Sequence, residues 1–185
     1  MNDVASKSEP VKFYSPAEER FNIRSHVLGL ILSLFGLLLL LFRSVSLGDW
    51  LDLFVAAVFG GSLVALYAAS TAYHRAVEPA QRARLRVVDH AVIYVLIAGT
   101  YTPFTLITLK GPVGWTIFGI SWLFAIAGIV LKLFFTGRFH LLSTLMYIFM
   151  GWMIVFAAKP VVERIPPGAL SLGAFPICPG CVSDG

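Results

Sequence analysis

The sequence has few charged residues. Only 13% of its 185 residues are Asp, Glu, Lys or Arg, against about 25% in soluble domains. Hydrophobic residues make up 58% of the chain, which excludes an ordinary water-soluble domain. We therefore predict an all-α fold, a polytopic transmembrane helical bundle in a lipid bilayer. The net charge of +4 is modest, and we expect no nucleic-acid partner.

Cysteine is also scarce, with two residues in the chain. Cys178 and Cys181 both lie among the last eight residues, so no disulfide framework organises the fold. We interpret their C-x-x-C spacing as coincidental, because it falls in an irregular tail and not at a strand-to-helix turn. The phosphate-binding glycine motifs and the zinc-peptidase and serine-hydrolase motifs are also missing from the sequence. Nucleotide use and classical peptidase chemistry are therefore unsupported.

Long apolar runs are what the sequence has in place of charge. A run of about 20 apolar residues is needed to cross the hydrocarbon core. Five predicted spans cover residues 26–42, 51–73, 87–109, 113–135 and 141–158. We expect an N-terminal tail at 1–20, a helical bundle at 21–160 and an irregular C-terminal tail at 161–185.

The lysines and arginines predict the orientation of the bundle. Four of the fourteen would lie on one side of the membrane, namely Arg43, Lys110, Lys159 and Arg164. All the others precede the first run or follow the second and fourth runs. The positive-inside bias therefore predicts an inner-membrane protein with a cytoplasmic N-terminus.

The end of the second run and the start of the third carry candidate site residues. Ser70, Tyr73 and His74 share one helix face by their i, i+3, i+4 spacing, and Asp89 lies on the same side of the membrane. Two interpretations stay open. An imidazole with a nearby carboxylate can bind a divalent metal or orient its water. Alternatively, His74 is an interfacial anchor and Asp89 is the N-cap of the third helix.

Three further polar residues, Glu19, Asn22 and His26, enter the first run at helical spacing. They could reach the corner formed by Ser70, Tyr73, His74 and Asp89. They could equally form an ordinary helix start, where acidic residues are favoured by the helix dipole.

At these residues the chain resembles the hemolysin III family, within the wider progestin and adipoQ receptor (adiponectin-receptor-like) group. Four motifs carry the resemblance and together cover most of the chain to about residue 168. They are ERFNIRSH at 19–26, S-x-x-Y-H at 70–74, DHAVIYVLIAGTYTPF at 89–104 and LSTLMYIFMGW at 142–152. The resemblance implies seven transmembrane helices with a cytoplasmic N-terminus.

The resemblance also implies a zinc site near the cytoplasmic face. His74 would be one zinc ligand, with Ser70 and Asp89 beside the metal and its water. Two further ligands would come from an H-x-x-x-H motif in the seventh helix. This chain has five of the seven spans and lacks that second histidine pair, and its last residues turn rich in Gly and Pro. We expect a truncated or frameshifted C-terminus, with zinc weakly bound or absent unless a second subunit completes the site.

The resemblance implies metal-dependent hydrolysis of a lipid amide. In that reaction His74 would bind zinc, Asp89 would orient or deprotonate the water, and Ser70 would hydrogen-bond nearby. Two alternatives stay open: a pore-forming, cytolytic protein, and a non-catalytic receptor or non-functional fragment. The expected partners are the bilayer, a lipid substrate and further copies of the chain.

Overall fold

The computed structural model describes residues 14–134 and 140–164, and this part of the chain is almost entirely helical, with no β-strand. The helices are α1 (Pro16–Leu47), α2 (Trp50–Arg75), α3 (Pro79–Pro103), α4 (Gly111–Phe134) and α5 (His140–Arg164). A π-helical segment, Phe104–Leu109, continues α3. The predicted all-α fold is confirmed.

Four of these helices are long and apolar enough to cross a membrane: α1, α2, α3 with its π-helical continuation, and α4. Within the described residues, α5 carries a shorter apolar stretch, Leu142–Met153. Large apolar side chains such as Leu28, Ile31 and Leu38 are exposed along α1. Such exposure is costly in water and ordinary in lipid, so the outer surface fits a transmembrane bundle.

The first helix begins earlier than predicted, so residues 16–20 belong to α1 and not to the N-terminal tail. Ser15 and Glu18 form a capping box: the Ser15 hydroxyl accepts from Glu18 N at 3.3 Å, and Glu18 Oε2 accepts from Ser15 N at 2.8 Å. Pro16 follows the cap and is preorganised for the first turn. These local signals extend the helix beyond its apolar run.

The third helix also begins earlier than the apolar run. Its N-cap is Glu78, whose carboxylate accepts from Ala80 N at 3.1 Å and Gln81 N at 2.7 Å, and Pro79 follows. The arginine-rich stretch between the second and third predicted spans is therefore mostly the start of α3. Asp89 lies well inside the helix, so the interpretation of Asp89 as its N-cap is wrong.

At the other end of the chain, α5 continues to Arg164 and so passes residue 158, where the fifth predicted span ends. The first residues of the predicted C-terminal tail are helical. The rest of that tail, with Cys178 and Cys181, lies outside the described residues.

Tyrosine hydroxyls connect α3 to α5 across the bundle. Tyr94, which is fully buried, donates to Ser143 O at 3.1 Å. Tyr101 donates to Met150 O at 2.7 Å, and in the reverse direction Tyr147 donates to His90 O at 2.8 Å. Each bond gives a buried phenol a backbone acceptor, which permits tyrosine in an apolar interior.

The start of α1, the end of α2 and the start of α3 meet at one end of the bundle. We call this the polar end. Because α2 runs antiparallel to α1 and α3, residues far apart in sequence come together here. The candidate site residues lie at this end.

Candidate functional site

A carboxylate on α1 connects the three helices of the polar end. Glu19 Oε2 lies 2.8 Å from His74 Nδ1 on α2, and Glu19 Oε1 accepts a hydrogen bond from Arg82 Nη2 on α3. The side-chain exposures are 17% for Glu19, 11% for His74 and 2% for Arg82. Glu19 is therefore part of the corner as well as part of the first turn of α1. Water has little access to this row of charged and polar groups.

Arg82 is the residue that the sequence analysis missed. Its Nη1 donates to two carbonyls at the C-terminal end of α2, Ala76 O at 3.1 Å and Tyr73 O at 3.4 Å. Its guanidinium carbon lies 4.7 Å from the centre of the Tyr73 ring. Buried arginine is costly unless its donors are paired. These contacts supply the pairing, and they attach the start of α3 to the end of α2.

Ser70 and Asp89 form a second pair beside the first. The Ser70 hydroxyl donates to Asp89 Oδ1 and joins α2 to α3. The other carboxylate oxygen, Oδ2, lies 3.8 Å from His90 Nδ1, beyond hydrogen-bond distance. His90 Nδ1 instead donates to Arg86 O at 2.7 Å. Ser70 and Asp89 are therefore in direct contact.

Aromatic rings enclose His74. The His26 ring stacks on it with centroids 5.4 Å apart and planes 12° apart. The Tyr73 ring lies at 4.8 Å and the Tyr14 ring at 5.9 Å. Of the three residues that enter the first run, Glu19 and His26 thus reach His74, whereas Asn22 contributes its backbone carbonyl to Ser25.

The residues at the polar end fit part of a zinc site. A histidine that ligates a metal usually donates its other ring N–H to a carboxylate, and the His74–Glu19 contact has this form. Zinc takes three or four protein ligands, however. In the described part of the chain, no three His, Cys, Asp or Glu side chains are grouped so that they could hold a metal ion. His74 with its carboxylate partner therefore has the form of one ligand, and the described residues do not complete a set.

Comparison with known proteins agrees with this architecture. The family model described as "Haemolysin-III related" matches residues 14–177. The chain is 44% identical over 155 residues to Hemolysin-3 of Bacillus cereus, covering 84% of this chain and 71% of that protein. It is 41% identical over 155 residues to the Hemolysin-3 homolog of Bacillus subtilis, covering 84% of this chain and 73% of that one.

A more distant relative is the human monocyte to macrophage differentiation factor, 25% identical over 184 residues, which covers 93% of this chain and 75% of that protein. No solved structure matches the chain. The family match spans all five helices and every residue of the polar end. The chain belongs to the haemolysin III family of membrane proteins.

Proposed function

We propose that this protein is a metal-dependent membrane hydrolase that cleaves a lipid amide at the polar end of the bundle. His74 is one zinc ligand, and Asp89 and Ser70 lie beside the reacting centre. When bound, zinc would activate water and polarise the amide carbonyl. The remaining ligands come from outside the described residues or from a second copy of the chain.

The observation that carries this proposal is the contact between His74 Nδ1 and Glu19 Oε2 at 2.8 Å. A largely buried imidazole with a carboxylate on one nitrogen has its other nitrogen available for a ligand. An interfacial anchor has no need of such a contact, because water satisfies both nitrogens. The geometry therefore favours a ligand role for His74 over an anchoring role.

The Ser70–Asp89 pair supports the same reaction. Asp89 accepts from Ser70 through Oδ1, which fixes the carboxylate on the face shared by α2 and α3. Oδ2 then remains as an acceptor for a water or substrate proton, since His90 lies too far away to bond it. A positioned carboxylate of this kind is suited to general-base work. Ser70 acts by orienting the carboxylate.

The charge distribution supports placing the polar end at the cytoplasmic face of the inner membrane. Arg20, Arg24, Arg75 and Arg84 are exposed at this end, whereas Arg43 and Lys110 lie at the opposite end. Cytoplasmic flanks are enriched in Lys and Arg. Protease access to an N-terminal tag should occur in inverted vesicles and not in right-side-out ones.

Zinc content of detergent-purified protein tests the proposal. We expect bound zinc in the wild type and its loss in His74→Ala, with release of fatty acid from a ceramide-like amide lost in parallel. Ser25→Ala is the matched control, because Ser25 is exposed and its hydroxyl donates to Asn22 O within α1. Absence of zinc in the wild type after zinc supplementation would overturn the proposal.

A second candidate function is membrane lysis, which the names of the two Bacillus relatives suggest. Three buried hydroxyls in the membrane interior bond back to carbonyls of their own helices: Thr102 to Ala98, Thr105 to Tyr101, and Ser121 to Phe118. Such hydroxyls do not line a polar path, so lysis would need several copies. Dye release from liposomes, unchanged in His74→Ala, would favour lysis over hydrolysis.

A further inference from the structure

We propose that Glu19 and Arg82 are positioning residues that fix the tautomer of His74, with the proton on Nδ1 and the lone pair on Nε2. The inference rests on the proposed function, because a fixed tautomer matters there by presenting the Nε2 lone pair to a metal. Its test does not need a metal. It extends the site to α1, and it gives the buried arginine a role beyond packing.

The first step is the direction of each hydrogen bond. Arg82 remains protonated in proteins and offers only donors. Its Nη2 donates to Glu19 Oε1, so this oxygen is engaged by a fixed positive charge. An ionised carboxylate only accepts, and Glu19 Oε2 lies 2.8 Å from His74 Nδ1. The proton of neutral His74 must therefore be on Nδ1.

The second step is that neither partner is free to turn away. Arg82 is 2% exposed, and its Nη1 donates to Ala76 O at 3.1 Å and Tyr73 O at 3.4 Å. The imidazole of His74 lies between the His26 ring, nearly parallel to it, and the tilted Tyr73 ring. The orientation of the carboxylate is thus set from α3, and the orientation of the imidazole is set from α1 and α2.

The third step predicts an inversion in Glu19→Gln. A glutamine amide has one acceptor oxygen and one NH₂ donor. Arg82 offers only donors and therefore takes the oxygen, which leaves the NH₂ group facing His74 Nδ1. Nδ1 must then accept, and the proton moves to Nε2. An isosteric change in the side chain that contacts Nδ1 thus removes the lone pair from Nε2, the nitrogen proposed to bind the metal.

The experiment is nitrogen NMR on metal-free protein in detergent, labelled with ¹⁵N-histidine and recorded at alkaline pH. The His74 signals are assigned by their absence in His74→Gln. We expect a protonated Nδ1 and an unprotonated Nε2 in the wild type, and the reverse in Glu19→Gln. Glu18→Gln is the matched control, because Glu18 is exposed and its carboxylate accepts from Ser15 N in the capping box of α1. This substitution should leave the His74 signals unchanged.

Two results would overturn the inference: a wild-type spectrum with the proton on His74 Nε2, or a folded Glu19→Gln with the wild-type pattern. If Glu19→Gln does not fold, the wild-type spectrum alone still decides. The helical signal in far-ultraviolet circular dichroism, together with gel filtration, reports on folding.

Zinc titration of the same samples separates this inference from the proposed function. Loss of a supporting carboxylate typically lowers metal affinity about 10–100-fold, and we expect this range for Glu19→Gln. A wild type that binds no zinc but carries its proton on Nδ1 would contradict the hydrolase and keep the inference. Zinc binding by a protein whose metal-free His74 carries its proton on Nε2 would contradict the inference and keep the hydrolase.

Discussion

The Ser70 hydroxyl on α2 donates to the Asp89 carboxylate on α3, and this bond joins the two helices about one turn of α2 from the Glu19–His74 contact. Ser70 is 7% exposed. A hydrogen bond to a charged acceptor in such a place contributes more than an exposed one. The same pair that is proposed to serve the reaction therefore also stabilises the corner.

Ser70→Ala should lower the free energy of unfolding by about 1–3 kcal/mol, because a poorly solvated carboxylate oxygen loses its donor. Thermal unfolding in detergent measures the loss. Ser25→Ala is the matched control: Ser25 is exposed, and its hydroxyl donates only to Asn22 O within α1, so little change is expected. The loss should be smaller in an Asp89→Asn background. Equal losses in both backgrounds would contradict a direct bond to the charge.

The helical bundle and the residues that gather at its polar end could be predicted from sequence because apolar runs and their polar ends are local patterns. Ser70 and Asp89 were expected on one side, and the structure brings them into contact. Their catalytic roles, and the ligand role of His74, stay predictions. Helix starts at Pro16 and Pro79 were missed because capping by Ser15 and Glu78 extends each helix beyond its apolar run.

The role of Arg82 could not be predicted from the sequence. It stands in a stretch with Arg75, Arg84 and Arg86, and all four have the same side-chain chemistry. Only the turn between α2 and α3 selects Arg82, because that turn brings its side chain beneath the last carbonyls of α2. Such a choice depends on tertiary geometry, which no local pattern records.

Arg82→Met should be among the most destabilising substitutions at the polar end. Removing one partner of a buried ion pair costs about 3–5 kcal/mol. We expect a value near the lower end of that range, because Glu19 is 17% exposed and can be partly solvated. Arg84→Met, at an exposed position on the same helix, is the control and should change stability little.

The double variant Glu19→Gln with Arg82→Met should be more stable than Arg82→Met alone, since it no longer leaves a poorly solvated carboxylate without its cation. Thermal unfolding of the four proteins in the cycle measures the coupling. Additive losses would contradict a direct coupling between Glu19 and Arg82.

Tyr101→Phe should loosen α5 without unfolding the bundle. The substitution removes the hydroxyl, which donates to Met150 O at 2.7 Å and to Gly151 O at 3.3 Å. Interhelical hydrogen bonds in membrane proteins contribute about 0.6 kcal/mol on average. The expected signs are a small fall in unfolding temperature and faster proteolysis near α5. Tyr67→Phe keeps the ring that packs against His26 and should match the wild type; an equal effect there would contradict the assignment.

Gly60→Ala and Gly61→Ala should differ sharply although they are neighbours on α2. A Cβ at Gly60 would lie 2.6 Å from Leu37 Cδ1 and 3.2 Å from Leu37 Cα, so the Leu37 side chain would have to turn and α1 would have to shift by a few tenths of an ångström. A Cβ at Gly61 meets nothing within 4 Å. Overpacking of this kind costs about 1–3 kcal/mol, whereas alanine in an open helical position is favoured over glycine. Thermal unfolding should therefore show a loss at Gly60 and none at Gly61. A neutral Gly60→Ala would mean that α1 does not approach α2 this closely in the membrane.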